Sequence, residues 1–149
     1  MVSRYAVIGL TVLWGTSTAL ASLGAQGANA PDIRSVRQGV YSNAQAERGA
    51  AAYSRSCAMC HKPDLQGNPD SEVPALAGDE FLVPWEMSTV GDLVARLSRT
   101  MPGNRPGSLS RAEYIDIVAH ILKSNRFPDG ESELPEDANA LSRIVFKRD

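Results

Sequence analysis

The stretch Cys57-Ala58-Met59-Cys60-His61 decides how the rest of this 149-residue chain is interpreted. It contains both cysteines of the chain and one of its two histidines. On a helical turn, the C-x-x-C spacing places two side chains on the same side, about one turn apart. Two thiols in that arrangement can add to the vinyl groups of a haem, and a histidine directly after the second can reach the iron. The motif therefore predicts covalent attachment of one haem c.

Two other interpretations of the motif are open. A redox-active disulfide would be expected beside a βαβ pattern, which the sequence lacks. A zinc site needs about four protein ligands, and His120 is the only remaining conventional nitrogen or sulfur donor. Both alternatives fit the sequence less well than a haem.

The first 30 residues have the layout of a secretory signal peptide. They carry one early cation, Arg4, then an apolar run over 6–14, small residues and no acidic residue. Cleavage is expected after one of three small residues: Ala21, Gly27 or Ala30. The alternative is an uncleaved membrane tether, but the run is shorter than the ~20 residues that a bilayer span needs. The sequence thus predicts a periplasmic protein with no stable membrane insertion after cleavage.

Composition limits the remaining possibilities. The formal net charge of -2 argues against nonspecific nucleic-acid binding, which requires a strong cationic field. The length suits one domain, and 6% aromatic residues make a thin core for it. A cofactor is therefore expected to fill the centre.

Three helices are predicted along the chain. The first begins at Ser42 or Asn43 and runs to about Ser56, the second follows Thr89 as its cap, and the third begins with the capping box at 110–113 and ends near Asn125. Residues 62–87 are rich in proline and glycine and are expected to be mostly loop with at most short helical turns. Residues 31–41 are predicted to be an exposed lead-in, 42–128 the folded domain, and 129–149 a C-terminal extension of low order.

These elements together resemble the class I c-type cytochromes over about residues 41–128. The quoted segments are "ERGAAAYSRSCAMCH", "VPALAG", "TVGDLVARLSRTMP" and "SRAEYIDIVAHIL", in that order. The ending of the domain is similar to the cytochrome c domains that serve periplasmic quinoprotein alcohol dehydrogenases. The resemblance implies an all-α fold, with three main helices and loops wrapped around one covalently bound haem.

The resemblance also implies the site. Cys57 and Cys60 would form the thioethers, His61 would be the proximal iron ligand, and Met101, followed by proline, would be the second axial ligand. Met87 is a less favoured second ligand, and Met59 lies inside the attachment motif.

Two further residues are implied to contact the cofactor. Pro74 resembles the proline whose carbonyl receives the ring N–H of the proximal histidine. Trp85 resembles the aromatic residue that borders the haem propionates. The alternatives are a simple loop proline at position 74 and an ordinary core tryptophan at position 85.

The helix crossing of this family places a glycine and an aromatic residue on the first helix, which Gly49 and Tyr53 match. The last helix normally contributes an aromatic residue where this chain has His120. We interpret His120 as a packing residue, with an axial bis-histidine arrangement as the alternative.

The function expected from this resemblance is periplasmic electron transfer, with no catalytic residue and no enzyme activity of its own. The implied partners are redox proteins such as a quinoprotein dehydrogenase and a terminal oxidase or another cytochrome. A dedicated subunit of such a complex is an alternative, and a haem enzyme or gas-binding protein is another if Met101 does not bind the iron. Three cations near Met101 could meet an acidic partner: Arg96, Arg99 and Arg105.

Overall fold

The computed structural model describes Met1 and residues 32–147. The predicted signal peptide lies outside the described residues, apart from Met1, and stays a prediction. Six helices occur among the described residues, with two two-residue strands near the ends of the chain. They are β1 (Arg34–Ser35), α1 (Asn43–Ser56), α2 (Ala58–His61), α3 (Asp79–Trp85), α4 (Val90–Thr100), α5 (Arg111–Ser124), α6 (Ala138–Leu141) and β2 (Ile144–Val145).

The three predicted helices are α1, α4 and α5, and each begins at a side-chain cap. Ser42 Oγ accepts a hydrogen bond from a backbone N–H in the first turn of α1. Thr89 and Asp92 form a reciprocal capping box on α4, and Ser110 and Glu113 form another on α5. The all-α prediction is confirmed, because helices are the main elements among the described residues and the two strands have only two residues each.

The region 62–87 is mostly loop, as predicted, but it contains a longer helix than expected. α3 spans seven residues and includes Pro84. Asp79 and Glu80 lie in its first turn, where carboxylates interact favourably with the helix dipole, and Phe81 is buried. Burial of Phe81 stabilises a helix that the prolines alone would argue against.

α1 and α5 cross at Gly49. A Cβ at Gly49 would lie 1.8 Å from the carbonyl oxygen of Asp116 and 3.0 Å from the Cβ of His120. Only glycine permits this approach, so the prediction of a close helix contact at Gly49 is confirmed. Tyr53, one turn later on α1, is buried and packs against the ring of His120 at 5.2 Å between centroids.

The prediction that residues 31–41 form an exposed lead-in is wrong for their second half. Val36, Val40 and Tyr41 are almost fully buried. The Tyr41 hydroxyl donates a 2.6 Å hydrogen bond to the carbonyl of Phe127, and the Tyr41 carbonyl accepts one from Gly130 N–H. The sequence of this segment shows no helical or strand periodicity, because only a few separated side chains pack into the core.

The predicted low order of the C-terminal extension is also wrong. Its apolar side chains enter the core, where Phe146 is only 2% exposed. They are Leu134, Leu141, Ile144 and Phe146. β2 pairs in parallel with β1, with Arg34 opposite Ile144 and Ser35 opposite Val145. The strand pair therefore attaches the segment before α1 to the C-terminal extension, and β2 also contacts α4.

The extension is further attached by polar contacts to α1. Arg48 binds the carboxylates of Asp116 and Glu133. The side-chain amide of Gln45 pairs with both the N–H and the carbonyl of Leu134. None of the described helices has the length and apolar character required to cross a membrane.

Candidate haem site

A cavity of about 950 Å³ lies among α2, α3, α4 and α5. Its wall includes all six residues that the sequence predicts as haem contacts: Cys57, Cys60, His61, Pro74, Trp85 and Met101. α4 contributes Leu93, Leu97 and Thr100, and α5 contributes Ile117 and Ile121. The helical spacing of these side chains gives each helix one face toward the cavity.

The attachment motif forms a tight turn at the end of α1. The carbonyl of Cys57 accepts hydrogen bonds from the N–H groups of Cys60, at 3.1 Å, and His61, at 3.0 Å. Both thiols are free, Cys57 half-buried and Cys60 exposed. This turn places two thiols and an imidazole on one wall of the cavity, as C-x-x-C-H predicts.

Burial, with the neighbouring Cys60, raises the pKa of the Cys57 thiol to about 11. A redox-active C-x-x-C motif requires the opposite shift, because the attacking thiol must ionise readily. A zinc site is not supported either, since no group of three or more His, Cys, Asp or Glu side chains is suitably placed for a metal among the described residues. The two alternatives to a haem thus find no support in the geometry.

His61 is held in a fixed orientation by Pro74. The Nδ1 atom of His61 lies 2.9 Å from the Pro74 carbonyl oxygen, which can only accept, so Nδ1 carries the proton. Within the described part of the chain, Nδ1 is the only ring nitrogen of His61 with a protein hydrogen bond. His61 is 6% exposed, and Nε2 is left for a ligand in the cavity.

Gly67 allows the loop after His61 to fold back onto Pro74. Its N–H donates to the His61 carbonyl at 3.0 Å, and its φ of +69° is in the left-handed region. A Cβ there would lie 2.4 Å from the carbonyl oxygen of Val73. Glycine is therefore required beside the histidine, although the sequence indicated only a loop position.

Met101 follows the last residue of α4, and its backbone is fixed by three hydrogen bonds. Its N–H donates to the Leu97 carbonyl at 2.8 Å. Its carbonyl accepts from the Tyr114 hydroxyl at 2.7 Å and from the Gly107 N–H at 3.3 Å. The peptide bond between Met101 and Pro102 is cis.

The other candidate sulfur donors are less well placed. Met87 is 72% exposed and does not line the cavity. Met59 lies on the cavity wall, but it is 83% exposed and belongs to the turn that carries the thiols. Met101 is thus the methionine that the structure brings to the cavity on a separate element from His61.

Trp85 lines the cavity and belongs to an aromatic cluster that extends from the cavity wall into the core. Its ring lies 6.0 Å from the rings of both Phe81 and Phe146. Phe146 is in turn 6.4 Å from Phe127. Sequence reasoning missed Phe146, because its short apolar run in an acidic tail gave no period to interpret.

His120 lies at the α1–α5 crossing and does not line the cavity. Burial, with a smaller contribution from Lys123, lowers its pKa below the ordinary 6.5. This location supports packing rather than axial ligation. Two of the three predicted docking cations, Arg96 and Arg105, lie on the cavity wall. The third, Arg99, is exposed near the C-terminal end of α4.

The residues present therefore fit a covalently bound haem. The cavity combines two free thiols, an oriented imidazole and a thioether with apolar walls, which is the donor set that haem c uses. Over residues 44–121, just over half of the chain, the sequence matches the family model described as cytochrome c oxidase, cbb3-type, subunit III. The chain belongs to this family. No curated protein and no solved structure matches it.

Membership of this cytochrome family confirms the class I c-type resemblance, the haem c cofactor and the electron-transfer class. A cytochrome c domain of this kind is an electron-transfer module rather than an enzyme in itself, and it works with other redox proteins. The narrower similarity to the quinoprotein alcohol dehydrogenase domains is not shown by these comparisons and stays a prediction.

Proposed function

We propose that this cytochrome is an exported one-electron carrier in which His61 and Met101 are the axial ligands of a single haem. The proposal includes covalent attachment through Cys57 and Cys60 and removal of the predicted signal peptide within the first 30 residues. The observation that carries it is the placement of His61 and Met101, from α2 and the end of α4, on the walls of one cavity.

When bound, the haem supplies a reversible ferrous–ferric couple. The chain's own residues would tune that couple. The Nδ1–H of His61 donates to Pro74 O, which makes the imidazole a stronger donor. The thioether of Met101 is a weak, soft donor that favours the ferrous state. The apolar side chains that α4 and α5 present to the cavity would keep water from the bound haem and so favour the less charged state of the iron centre.

Residues filling both axial positions would leave no site for oxygen or peroxide. The proposal can be tested by exposing the ferrous protein, produced with haem-attachment machinery, to carbon monoxide. A carrier should show little spectral response. A ready response in the wild-type protein would instead favour a haem enzyme or a gas-binding protein.

The proposed partners are a periplasmic quinoprotein dehydrogenase as donor and a terminal oxidase or another cytochrome as acceptor. Arg96 and Arg105 on the cavity wall, with Arg99 beside them, would face an acidic surface on the partner. Such contacts are small and salt-dependent. The rate of electron transfer to an acidic redox protein should therefore fall with added salt, and Arg99→Gln should weaken that dependence.

A second candidate is a dedicated subunit of a respiratory complex. The matching family is described as subunit III of a cbb3-type cytochrome c oxidase, which favours an oxidase as the complex. Purification from its native membrane fraction distinguishes the two. Stable co-purification with oxidase subunits would support the subunit, and recovery free in the periplasmic fraction would support the carrier.

A further inference from the structure

The side chain of Asn125 joins the end of α5 to the loop that contains Pro74. Its Nδ2 donates to the carbonyl of Leu76 at 2.9 Å and to that of Ile121 at 2.8 Å. Its Oδ1 accepts from the N–H of Gly78 at 3.0 Å. Backbone carbonyls only accept and a backbone N–H only donates, so one orientation of the amide satisfies all three contacts.

The same loop is attached on its other side to the segment after His61. Leu76 N–H donates to the carbonyl of Leu65 at 2.7 Å. The peptide groups around Leu76 are therefore bound both to the histidine loop and, through Asn125, to α5. Pro74 lies two residues before Leu76, and its carbonyl accepts from His61.

We propose that Asn125 is a positioning residue that sets the hydrogen bond between His61 and Pro74. It does not line the cavity, and it would act by holding the Leu76–Gly78 segment in place. This inference rests on the proposed role of His61 as the proximal ligand. A weaker Nδ1–H···O bond makes the imidazole a poorer donor to ferric iron, so loosening the loop raises the reduction potential.

Two substitutions separate the contacts of Asn125. Asn125→Ala removes all three hydrogen bonds. Asn125→Asp keeps the acceptor for Gly78 but replaces the donor, so a carboxylate oxygen faces the carbonyls of Leu76 and Ile121. We expect both variants to have a higher midpoint potential than the wild-type protein. We also expect faster solvent exchange of the paramagnetically shifted Nδ1 proton of His61 by NMR.

Gln45→Ala is the matched control. Gln45 is also an amide side chain that pairs with a backbone N–H and a backbone carbonyl, but both belong to Leu134 in the C-terminal extension. This variant should lose stability through the same chemistry without changing the potential or the exchange rate. If Asn125→Ala yields no haem-loaded protein, Asn125→Asp provides the comparison.

The inference is supported if the Asn125 variants shift both readouts and Gln45→Ala shifts neither. It is overturned if the wild-type NMR spectrum shows an axial histidine while the Asn125 variants keep the wild-type potential and exchange rate, or move no further than Gln45→Ala. A different result would rule out the proposed ligation itself. If His61 does not bind the iron, its shifted imidazole signals will already be missing from the wild-type protein, and the proposed role of Asn125 is then excluded as well.

Discussion

The hydroxyl of Tyr114, on α5, donates a hydrogen bond of 2.7 Å to the backbone carbonyl of Met101 at the end of α4. Tyr114 is buried, so this bond connects the core directly to the proposed methionine ligand. The sequence places Tyr114 in the third predicted helix, but it gives no sign of this contact with Met101. The position of Tyr114 shows that α5 and its C-terminal cap support both walls of the haem cavity, Met101 through Tyr114 and the Pro74 loop through Asn125.

Tyr114→Phe should weaken the methionine side of the site. Losing one such hydrogen bond costs about 1 kcal/mol. The pH at which the haem-loaded protein loses its methionine–iron charge-transfer band on alkalinisation should therefore fall by somewhat less than about one unit, because one unit corresponds to roughly 1.4 kcal/mol. A pH titration of the ferric visible spectrum measures this.

Tyr41→Phe is the control for that substitution. The Tyr41 hydroxyl donates to the carbonyl of Phe127, and Tyr41 does not line the cavity. It should lower the free energy of unfolding without moving the alkaline transition. An equal shift in both variants would show that Tyr114 acts only on global stability.

Gly49→Ala should destabilise the protein, although alanine is the better helix former by about 1 kcal/mol. The new Cβ would overlap the Asp116 carbonyl, and separating α1 from α5 should cost at least the ~1–3 kcal/mol typical of overpacking. Denaturant unfolding of the haem-loaded protein provides the measurement. Ser54→Ala, at an exposed position of the same helix, should be nearly neutral, and equal effects at the two positions would contradict the close crossing.

His120 should make stability depend on pH. Because burial lowers its pKa below 6.5, the unfolded chain takes up this proton at a higher pH than the folded protein does. The contribution of His120 is fully present above about pH 6.5 and is lost as the pH falls through the lower folded pKa. Unfolding free energies measured across this window should decrease toward acid.

His120→Phe isolates this effect, since phenylalanine keeps a ring against Tyr53 but cannot take up a proton. The variant should have a flatter profile below pH 6.5 than the wild-type protein. Three carboxylates also make stability depend on pH, but only below the His120 window. Hydrogen bonds lower their pKa values from 3.8 for Asp92 and from 4.5 for Glu113 and Glu133, so their stabilising effect is lost at more acidic pH. If the wild-type protein and His120→Phe show the same dependence of unfolding free energy on pH, His120 is not the source of the loss of stability below pH 6.5.

Phe146→Ala tests whether the C-terminal extension belongs to the haem domain. Removing a buried phenylalanine side chain costs about 3–5 kcal/mol, and here it also removes a packing partner of Trp85 on the cavity wall. We expect a large loss in thermal unfolding and a changed haem absorption spectrum. Lys147→Ala, at the exposed neighbouring position, should change neither property. A Phe146→Ala variant as stable as the wild-type protein would show that the C-terminal extension is not needed for the stability of the domain.

The sequence was sufficient to predict the features that depend on local chemistry. The C-x-x-C-H spacing, the caps at Ser42 and Thr89 and the small residue at Gly49 each have a physical meaning that does not depend on the rest of the chain. Those signals led to three helices and to a site whose predicted members all line one cavity.

Long-range packing was not predictable in the same way. Tyr41 and Phe146 are isolated apolar residues in polar surroundings, and only the folded core shows that they are buried. Asn125 resembled an ordinary helix end, since its partners Leu76 and Gly78 are almost fifty residues away along the chain. Such contacts have no periodic signal in a single sequence.

The visible spectrum of the ferric protein is the first measurement to make, because it shows whether His61 and Met101 both bind the iron. Met101→Ala and the matched control Met87→Ala should be compared with the wild-type protein. We expect a low-spin wild-type spectrum with a methionine–iron charge-transfer band that Met101→Ala abolishes and Met87→Ala preserves. A high-spin wild-type spectrum, or a band that survives in Met101→Ala, would rule out Met101 as the second iron ligand.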